Sequence, residues 1–243
     1  KYGTLSVSGE LPSNLLSGSG ERRNKEIMER LICLAIGYVC GLFQTSYIIG
    51  RLHKTDIREH GSGNAGTTNA LRTFGKKAGA ITLLCDCLKC VAAILIVKAL
   101  FREDYGEILP LLSLYAAAGC ILGHNFPVYL KFRGGKGIAA SVGLILAFDW
   151  RIFAVCFVLF FVLFFATHYV SLCSISAYVA AFICMVIFGQ MGSYGMDTPH
   201  TMELYGVMAA LTLLALFRHR ANILRLLAGT ENKIFLGKSG KKG

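Results

Sequence analysis

Long apolar blocks alternate with short polar stretches along this chain. The apolar blocks fall at 31–50, 78–101, 108–122, 137–148, 152–166, 170–189 and 203–217. A helix needs about 20 residues to cross the hydrocarbon, fewer where its ends are polar and the bilayer thins locally. The pattern therefore predicts an all-α polytopic membrane protein of about seven transmembrane helices, with 137–148 the shortest. Residues 1–25 lack an apolar block and read as a disordered polar tail. A single transmembrane domain is expected over 26–235, followed by a basic tail over 236–243.

Composition agrees with this class. Hydrophobic residues make up 54% of the 243 and charged residues only 16%, and mean hydropathy is +0.56. Soluble domains carry roughly 25% charged residues. The formal charge of +11 is concentrated. Of the 25 Lys and Arg, six lie in 51–77, three in 131–136 and seven in 218–242, against three acids in the same windows, Asp56, Glu59 and Glu231. Basic loops stay on the cytoplasmic side. All three windows share that side only if the short fourth segment spans, which places the N-terminus outside and the C-terminus in the cytoplasm. No soluble basic fold is visible, so nucleic acid is not an expected partner. The nine cysteines lie in apolar stretches and read as small buried hydrophobes rather than metal ligands.

Orientation signals do not explain what accompanies the charge. The first polar island holds Gly61-Ser62-Gly63-Asn64 and Gly66-Thr67-Thr68-Asn69. Glycines let successive backbone N–H groups turn toward one oxyanion, and Ser, Thr and Asn add donors. A helix starting near Thr68 adds its positive end, with Arg72 one turn in. The second island, His124-Asn125-Phe126-Pro127 running to Arg133-Gly134-Gly135-Lys136-Gly137, again pairs glycine with cations. It is not a nucleotide-hydrolysing P-loop, because Lys136 is followed by Gly137 and position 130 is Leu. His124 is open to two roles, donor or structural histidine. In the third island His219 and Asn222 stand at i, i+3, one face of a helix, with Arg225 beyond. A basic amphipathic tail on anionic headgroups accounts for Arg218, Arg220 and Arg225 but not for His219 with Asn222. Asp86 and Lys89, at i, i+3 inside the second span, read as an intrahelical pair propping up the site.

No nucleophile elbow, zinc-protease motif or His-x4-Asp appears. The three motifs, in this order on this span pattern, identify the chain as resembling the bacterial integral-membrane acyl-phosphate:glycerol-3-phosphate acyltransferases. The resemblance covers about 46–234. It rests on Asp56-Ile57-Arg58 with Gly61-Ser62-Gly63-Asn64 through Arg72, on Gly123-His124 through Gly134-Gly135-Lys136-Gly137, and on His219-Arg220 with Asn222-Ile223 through Glu231. Tyr169-Val170-Ser171-Leu172 is a weaker echo.

The resemblance implies transfer of an acyl group from acyl phosphate to the 1-hydroxyl of sn-glycerol 3-phosphate, releasing 1-acylglycerol 3-phosphate and phosphate. It implies no cofactor and no metal, a seven-helix fold in the bacterial cytoplasmic (inner) membrane with a cytoplasmic site, lipid neighbours, and a soluble acyl-phosphate-forming enzyme as supplier. Carried over by motif position, Ser62, Arg72, Lys136, His219 and Asn222 are the expected catalytic residues. Gly61, Ser62, Gly63, Asn64, Thr68, Asn69, Arg72, Gly134, Gly135, Lys136, Gly137 and Asn222 are the expected substrate- and phosphate-binding set. His219 either orients a phosphate or acts as base, with a substrate phosphate as the alternative base. The sequence departs from the family at Ala221, often Glu, at His168, commonly Arg, and at Thr67, frequently Ala. The competing class is a channel or transporter for an anionic phosphorylated metabolite, which basic helix ends would also suit; a membrane scaffold would leave the glycine clusters unexplained.

Overall fold

In the computed structural model, which describes residues 13–235, every regular element is helical. The helices are α1 (Ser13–Gly41), α2 (Thr45–Leu52), α3 (Thr67–Phe74), α4 (Lys76–Phe101), α5 (Leu109–Asn125), α6 (Ile138–Phe148), α7 (Trp150–Thr167), α8 (Val170–Gln190), α9 (Thr198–Arg218) and α10 (Arg220–Leu227). Helix α1 begins within the stretch expected to be a polar tail; residues 1–12 of that stretch, and the basic tail 236–243, lie outside the described residues.

Among the described residues, six stretches are long and apolar enough to cross a bilayer, and Ile138–Phe148 is a shorter apolar helix. At 1.5 Å per residue, the 11 residues of α6 span roughly 16 Å, about half the hydrocarbon thickness. It still joins the two ends of the bundle. At its start Gly137 borders the polar islands. At its finish Asp149 holds Arg151, which reaches Ser193 between α8 and α9, and Phe148 packs edge-on to Tyr194. The preceding link folds back onto the end of α5, with the Gly134 and Gly135 N–H groups donating to the carbonyls of Asn125 and His124. The short helix thus completes a seventh passage, and all three islands fall at one end.

The expected first span, 31–50, is not one helix. It breaks between Gly41 and Thr45 because buried Gln44 takes over the backbone there. Its Nε2 donates to the carbonyls of Gly41, Gly123 and His124 at 3.3, 3.4 and 3.0 Å. Before the break, α1 lies backbone to backbone on α5. A Cβ on Gly37, Gly41, Gly119 or Gly123 would run into the carbonyls of Ala116, Cys120, Leu34 or Tyr38 respectively. The four-residue spacing within each pair is the small-residue pattern that lets membrane helices approach closely. The pairing of 34 with 119 and 38 with 123 makes the two helices parallel.

At the end remote from the islands, Arg30 of α1 grips Glu203 of α9 with two bonds of 2.7 and 2.9 Å, and Tyr115 of α5 donates to the same carboxylate at 2.7 Å. Leu88, Leu95, Val158, Val162 and Phe165 point outward, as a lipid-facing surface requires. All nine cysteines are free; five are buried and four partly so.

The α1–α5 contact generates a test. Gly119→Val is expected to cost roughly 1–3 kcal/mol through overpacking, seen as a lower unfolding temperature in detergent. Gly206→Ala in α9, whose Cβ would meet nothing within 4 Å, is expected to leave that temperature unchanged or slightly higher.

Candidate functional site

One cavity of about 1500 Å³ gathers the three islands. Its polar end is lined by Gly61, Ser62, Asn64, Thr67, Thr68, Asn69 and Arg72, by Lys136 and Gly137, and by His219, Asn222, Arg225 and Glu231. From there it continues between apolar walls. These comprise Leu83, Leu84 and Cys87 of α4, Val142 and Ile145 of α6, Phe157, Phe160 and Phe161 of α7, and Ala177 and Ala181 of α8.

The first island is tied by Asn69. Its Nδ2 donates to the carbonyls of Ile57, His60 and Asn64 at 3.0, 2.9 and 3.0 Å, and its Oδ1 accepts the Ser62 N–H at 2.9 Å. Gly61 has φ +57°, and a Cβ there would strike Asn69 Oδ1, so glycine is required on two counts. The Gly63 N–H donates to the His60 carbonyl and Gly63 is off the cavity wall. Asn69 therefore shapes the loop with the groups expected to hold an anion. The N–H groups of Thr67 and Thr68, at the start of α3, have no acceptor among the described residues. Helix α3 starts one residue before the expected Thr68 and places Arg72 at the cavity, without an ion-pair partner among the described residues. Burial lowers the Arg72 pKa, opposed by Glu231 and helped by Arg225.

The glycines of the second island also differ from expectation. With their N–H groups spent on Asn125 and His124, Gly134 and Gly135 lie off the cavity wall. They are needed for close packing instead: a Cβ on Gly134 would collide with the His124 carbonyl, and one on Gly135 with His124 Nε2 and the Ala65 carbonyl. Their carbonyls accept from Arg218 Nη2 at 3.2 and 2.6 Å, and the Arg218 guanidinium lies over the Phe126 ring. From sequence, Arg218 is accounted for by a basic amphipathic tail on anionic headgroups. Gly137, at φ +80°, turns the chain into α6 and faces the cavity.

Lys136 Nζ donates to Asn222 Oδ1. Asn222 Nδ2 donates to Glu231 Oε1 at 2.9 Å, and Arg225 Nε donates to Glu231 Oε2 at 2.8 Å. Glu231, which entered the sequence comparison only as the end of a motif, is thus the carboxylate that orders this corner. Burial lowers the Lys136 pKa to about 8; Glu231 pulls the other way, while Arg225, Arg218 and Arg72 lower it further.

His219 and Asn222 do not share one continuous helix. Helix α9 ends at Arg218, His219 forms the corner, and α10 starts at Arg220, yet both side chains are buried against the same cavity. His219 Nδ1 stands 2.8 Å from the Ala215 carbonyl, which only accepts, so Nδ1 carries the proton and Nε2 keeps its lone pair. Burial, followed by Lys136, lowers the His219 pKa to about 4. Ser171, from the weaker sequence echo, lines the cavity with a buried hydroxyl that has no protein partner among the described residues.

Behind the polar end, Asp86 and Lys89 form the expected intrahelical pair at 2.8 Å. Lys89 Nζ also donates to the Phe43 carbonyl at 2.6 Å and to His124 Nδ1 at 2.9 Å, and Thr45 Oγ1 donates to Asp86 Oδ1. The pair fastens the α1–α2 break to α4 and α5.

Fold and site together define a polytopic helical membrane protein with a large cavity that is cationic at one end and apolar along the rest. The profile of the glycerol-3-phosphate acyltransferase family matches residues 31–229, and the chain belongs to that family. It is 42% identical over 213 residues to the glycerol-3-phosphate acyltransferase of Clostridioides difficile (strain 630), covering 86% of this chain and 97% of that protein. It is 40% identical to the one from Trichormus variabilis, covering 83% and 90%. Among solved structures it resembles PlsY (YgiH), an integral membrane glycerol 3-phosphate acyltransferase, in its glycerol 3-phosphate form. The TM-score is 0.73 at 30% identity, over 85% of this chain and 96% of that one. The lysophosphatidic acid form of PlsY gives a TM-score of 0.71 at the same identity.

Arg218 and Arg133 separate a structural cation from an exposed one. Arg218→Gln is expected to lower kcat/KM about tenfold or more, since hydrogen bonds from a charged donor contribute roughly 1.5–3 kcal/mol. Arg133→Gln, exposed on the same loop, is expected to stay within about threefold. Steady-state kinetics on the two variants checks this.

Proposed function

We propose that the chain transfers a fatty acyl group from acyl phosphate to the 1-hydroxyl of sn-glycerol 3-phosphate, yielding 1-acylglycerol 3-phosphate and phosphate. The observation that carries this is the cavity itself: uncommitted phosphate donors at one end and a hydrocarbon-lined extension at the other. The names of the relatives and of PlsY support the same acceptor. A conduit for anionic metabolites would need a polar path onward, and the continuation here is walled by Leu, Val, Ile and Phe.

Both substrates bring a phosphate, and the polar end has room for two sets of donors. Gly61 shapes a loop in which Ser62, Asn64, the free N–H groups of Thr67 and Thr68, and the positive end of α3 receive the acyl-phosphate head. Arg72, Lys136 and Asn222 hold glycerol 3-phosphate, with Glu231 and Arg225 fixing the Asn222 amide. The acyl chain lies along α4, α6, α7 and α8.

Acyl phosphate is a mixed anhydride and needs no covalent enzyme intermediate. The hydroxyl oxygen attacks the carbonyl carbon, a new C–O bond forms, and the C–O bond to phosphate breaks. The hydroxyl proton leaves with the phosphate, so charge and atoms balance. His219 accepts the hydroxyl hydrogen bond on Nε2 and orients it. At a pKa of about 4 it is a weaker base than a phosphate group, whose second pKa lies near 6, so the phosphate is the better final holder of the proton. Alignment and anion stabilisation then supply the rate enhancement. The basic islands at this end of the bundle support a site facing the cytoplasm from the bacterial inner membrane, with the N-terminus outside. A soluble enzyme would then deliver acyl phosphate from the cytoplasm.

The deciding assay supplies acyl phosphate and glycerol 3-phosphate to the purified protein in detergent or lipid mesophase and follows phosphate release. Intact protein without release would sink the enzyme assignment. Lys136→Ala is expected to lose roughly 100- to 1000-fold in turnover, the scale of removing one positioned charge from such a site. Lys54→Ala, an exposed loop charge, is expected to keep most of it. The same lysine sets an alkaline limit. Its pKa is lowered to about 8, so the ammonium is present below that pH and lost above it. The pH profile of kcat/KM for glycerol 3-phosphate is expected to fall as pH rises through about 8, and Lys136→Arg is expected to move that limb well upward.

A further inference from the structure

We propose that His124 is a catalytic residue of this reaction, its Nε2–H donating to the acyl carbonyl oxygen as negative charge develops there; the inference rests on acyl phosphate being the donor. The argument starts with Lys89. Its ammonium has three N–H bonds, and three acceptors surround it: the Phe43 carbonyl, Asp86 Oδ1 and His124 Nδ1. An ammonium only donates, so Nδ1 must accept and the imidazole proton resides on Nε2. His124 is buried, and its ring plane is held from behind by a charge that is itself fully bonded. Nε2–H has no partner among the described residues, and His124 forms part of the cavity wall. Gly135 packs beside that nitrogen without a side chain, where a Cβ would strike Nε2. A structural histidine would use both nitrogens; this one spends one on its support and leaves the other open.

Position gives the free donor its meaning. Acyl phosphate has its charge at one end, its hydrocarbon at the other and its carbonyl between. His124 borders the glycine loop through Gly135 and borders α4 through Asp86 and Lys89, next to Cys87 where the apolar wall begins. A carbonyl bridging the two regions comes within the zone that Nε2–H serves. A neutral imidazole of fixed tautomer is a suitable electrophile, because it polarises a carbonyl without bringing a mobile proton. Attack of the glycerol hydroxyl places negative charge on that oxygen, and collapse of the tetrahedral species expels phosphate and returns the oxygen to a carbonyl; no proton leaves His124. Lys89 and Asp86 act through His124 and are positioning residues.

The test compares wild type with His124→Phe and His124→Gln, using palmitoyl phosphate labelled with carbon-13 at the carbonyl. In turnover with glycerol 3-phosphate, His124→Phe is expected to lose roughly 100- to 1000-fold in kcat, the effect of deleting one oxyanion donor. KM for glycerol 3-phosphate is expected to stay within about threefold. His124→Gln, whose amide can still donate, is expected to lose less. In infrared spectra of the bound labelled compound without acceptor, the carbonyl band is expected at lower frequency on wild type than in detergent alone, to return in His124→Phe, and to lie between in His124→Gln. Wild-type kcat, or an unmoved band in His124→Phe, overturns the inference. If that variant does not fold, wild-type kcat and band position in His124→Gln overturn it equally. Absence of turnover by wild type is a different result, and it removes the donor assignment rather than the role of His124 alone.

Discussion

Irregular backbone at a membrane site must have its polar groups satisfied, because hydrocarbon offers them no partner. Three side chains meet that constraint at three of the places where the chain leaves helix near the cavity. Gln44 caps the carbonyls exposed by the α1–α2 break and by the end of α5. Asn69 closes the first glycine loop with four bonds. Arg218 takes the two carbonyls of the second. Each supplies the donor geometry its gap requires: an amide for a helix break, an amide using both ends for a tight loop, a guanidinium for adjacent carbonyls. The loops can then be short and glycine-rich without being loose, and the donors left over face the cavity.

The site's electrostatics follow from what those ties leave unpaired. Arg72 and Lys136 face the cavity with Arg225 nearby, while Glu231 is engaged by Asn222 and Arg225. Burial pushes the pKa values of Arg72 and Lys136 down, and cationic neighbours add to it. Concentrated positive charge of this kind is costly when empty, and a dianion bound there would stabilise this corner. The same balance disfavours the charged form of His219 and leaves its Nε2 an acceptor rather than a further cation.

Much of this was legible in the chain. Seven apolar blocks and one-sided basic windows foretold the passages, including the α6 segment that is too short by length alone. The islands announced a shared site because glycine, amide and imidazole groups have no purpose in a mere orientation signal. What stayed hidden was which groups point where. Nothing in Gly134-Gly135 says that the N–H groups turn back to α5, nor that the glycines exist for close packing. Asn69 looked like a donor for an anion, but a buried amide beside a tight loop satisfies the loop first. Arg218 sits in a basic run beside exposed Arg220, and only the fold distinguishes it. The break after Gly41 was not read because Gln44-Thr45-Ser46 is a short uncharged polar run without proline, inside a stretch that is otherwise apolar.

The α1–α5 contact shows why the site lies where it does. Two parallel helices touching through glycine place the end of α5, with His124 and Asn125, directly against the break in α1. Were these helices held apart by side chains, Gln44 would lose the carbonyls of Gly123 and His124, and Lys89 would lose the Phe43 carbonyl that completes its three acceptors. A buried ammonium short of an acceptor destabilises its surroundings far more than a surface lysine does. Close packing in the membrane interior and the protonation pattern at the cavity are therefore one constraint. Glycines remote from any substrate fix the distance at which Lys89 can hold His124, and that distance decides which imidazole nitrogen faces the reaction.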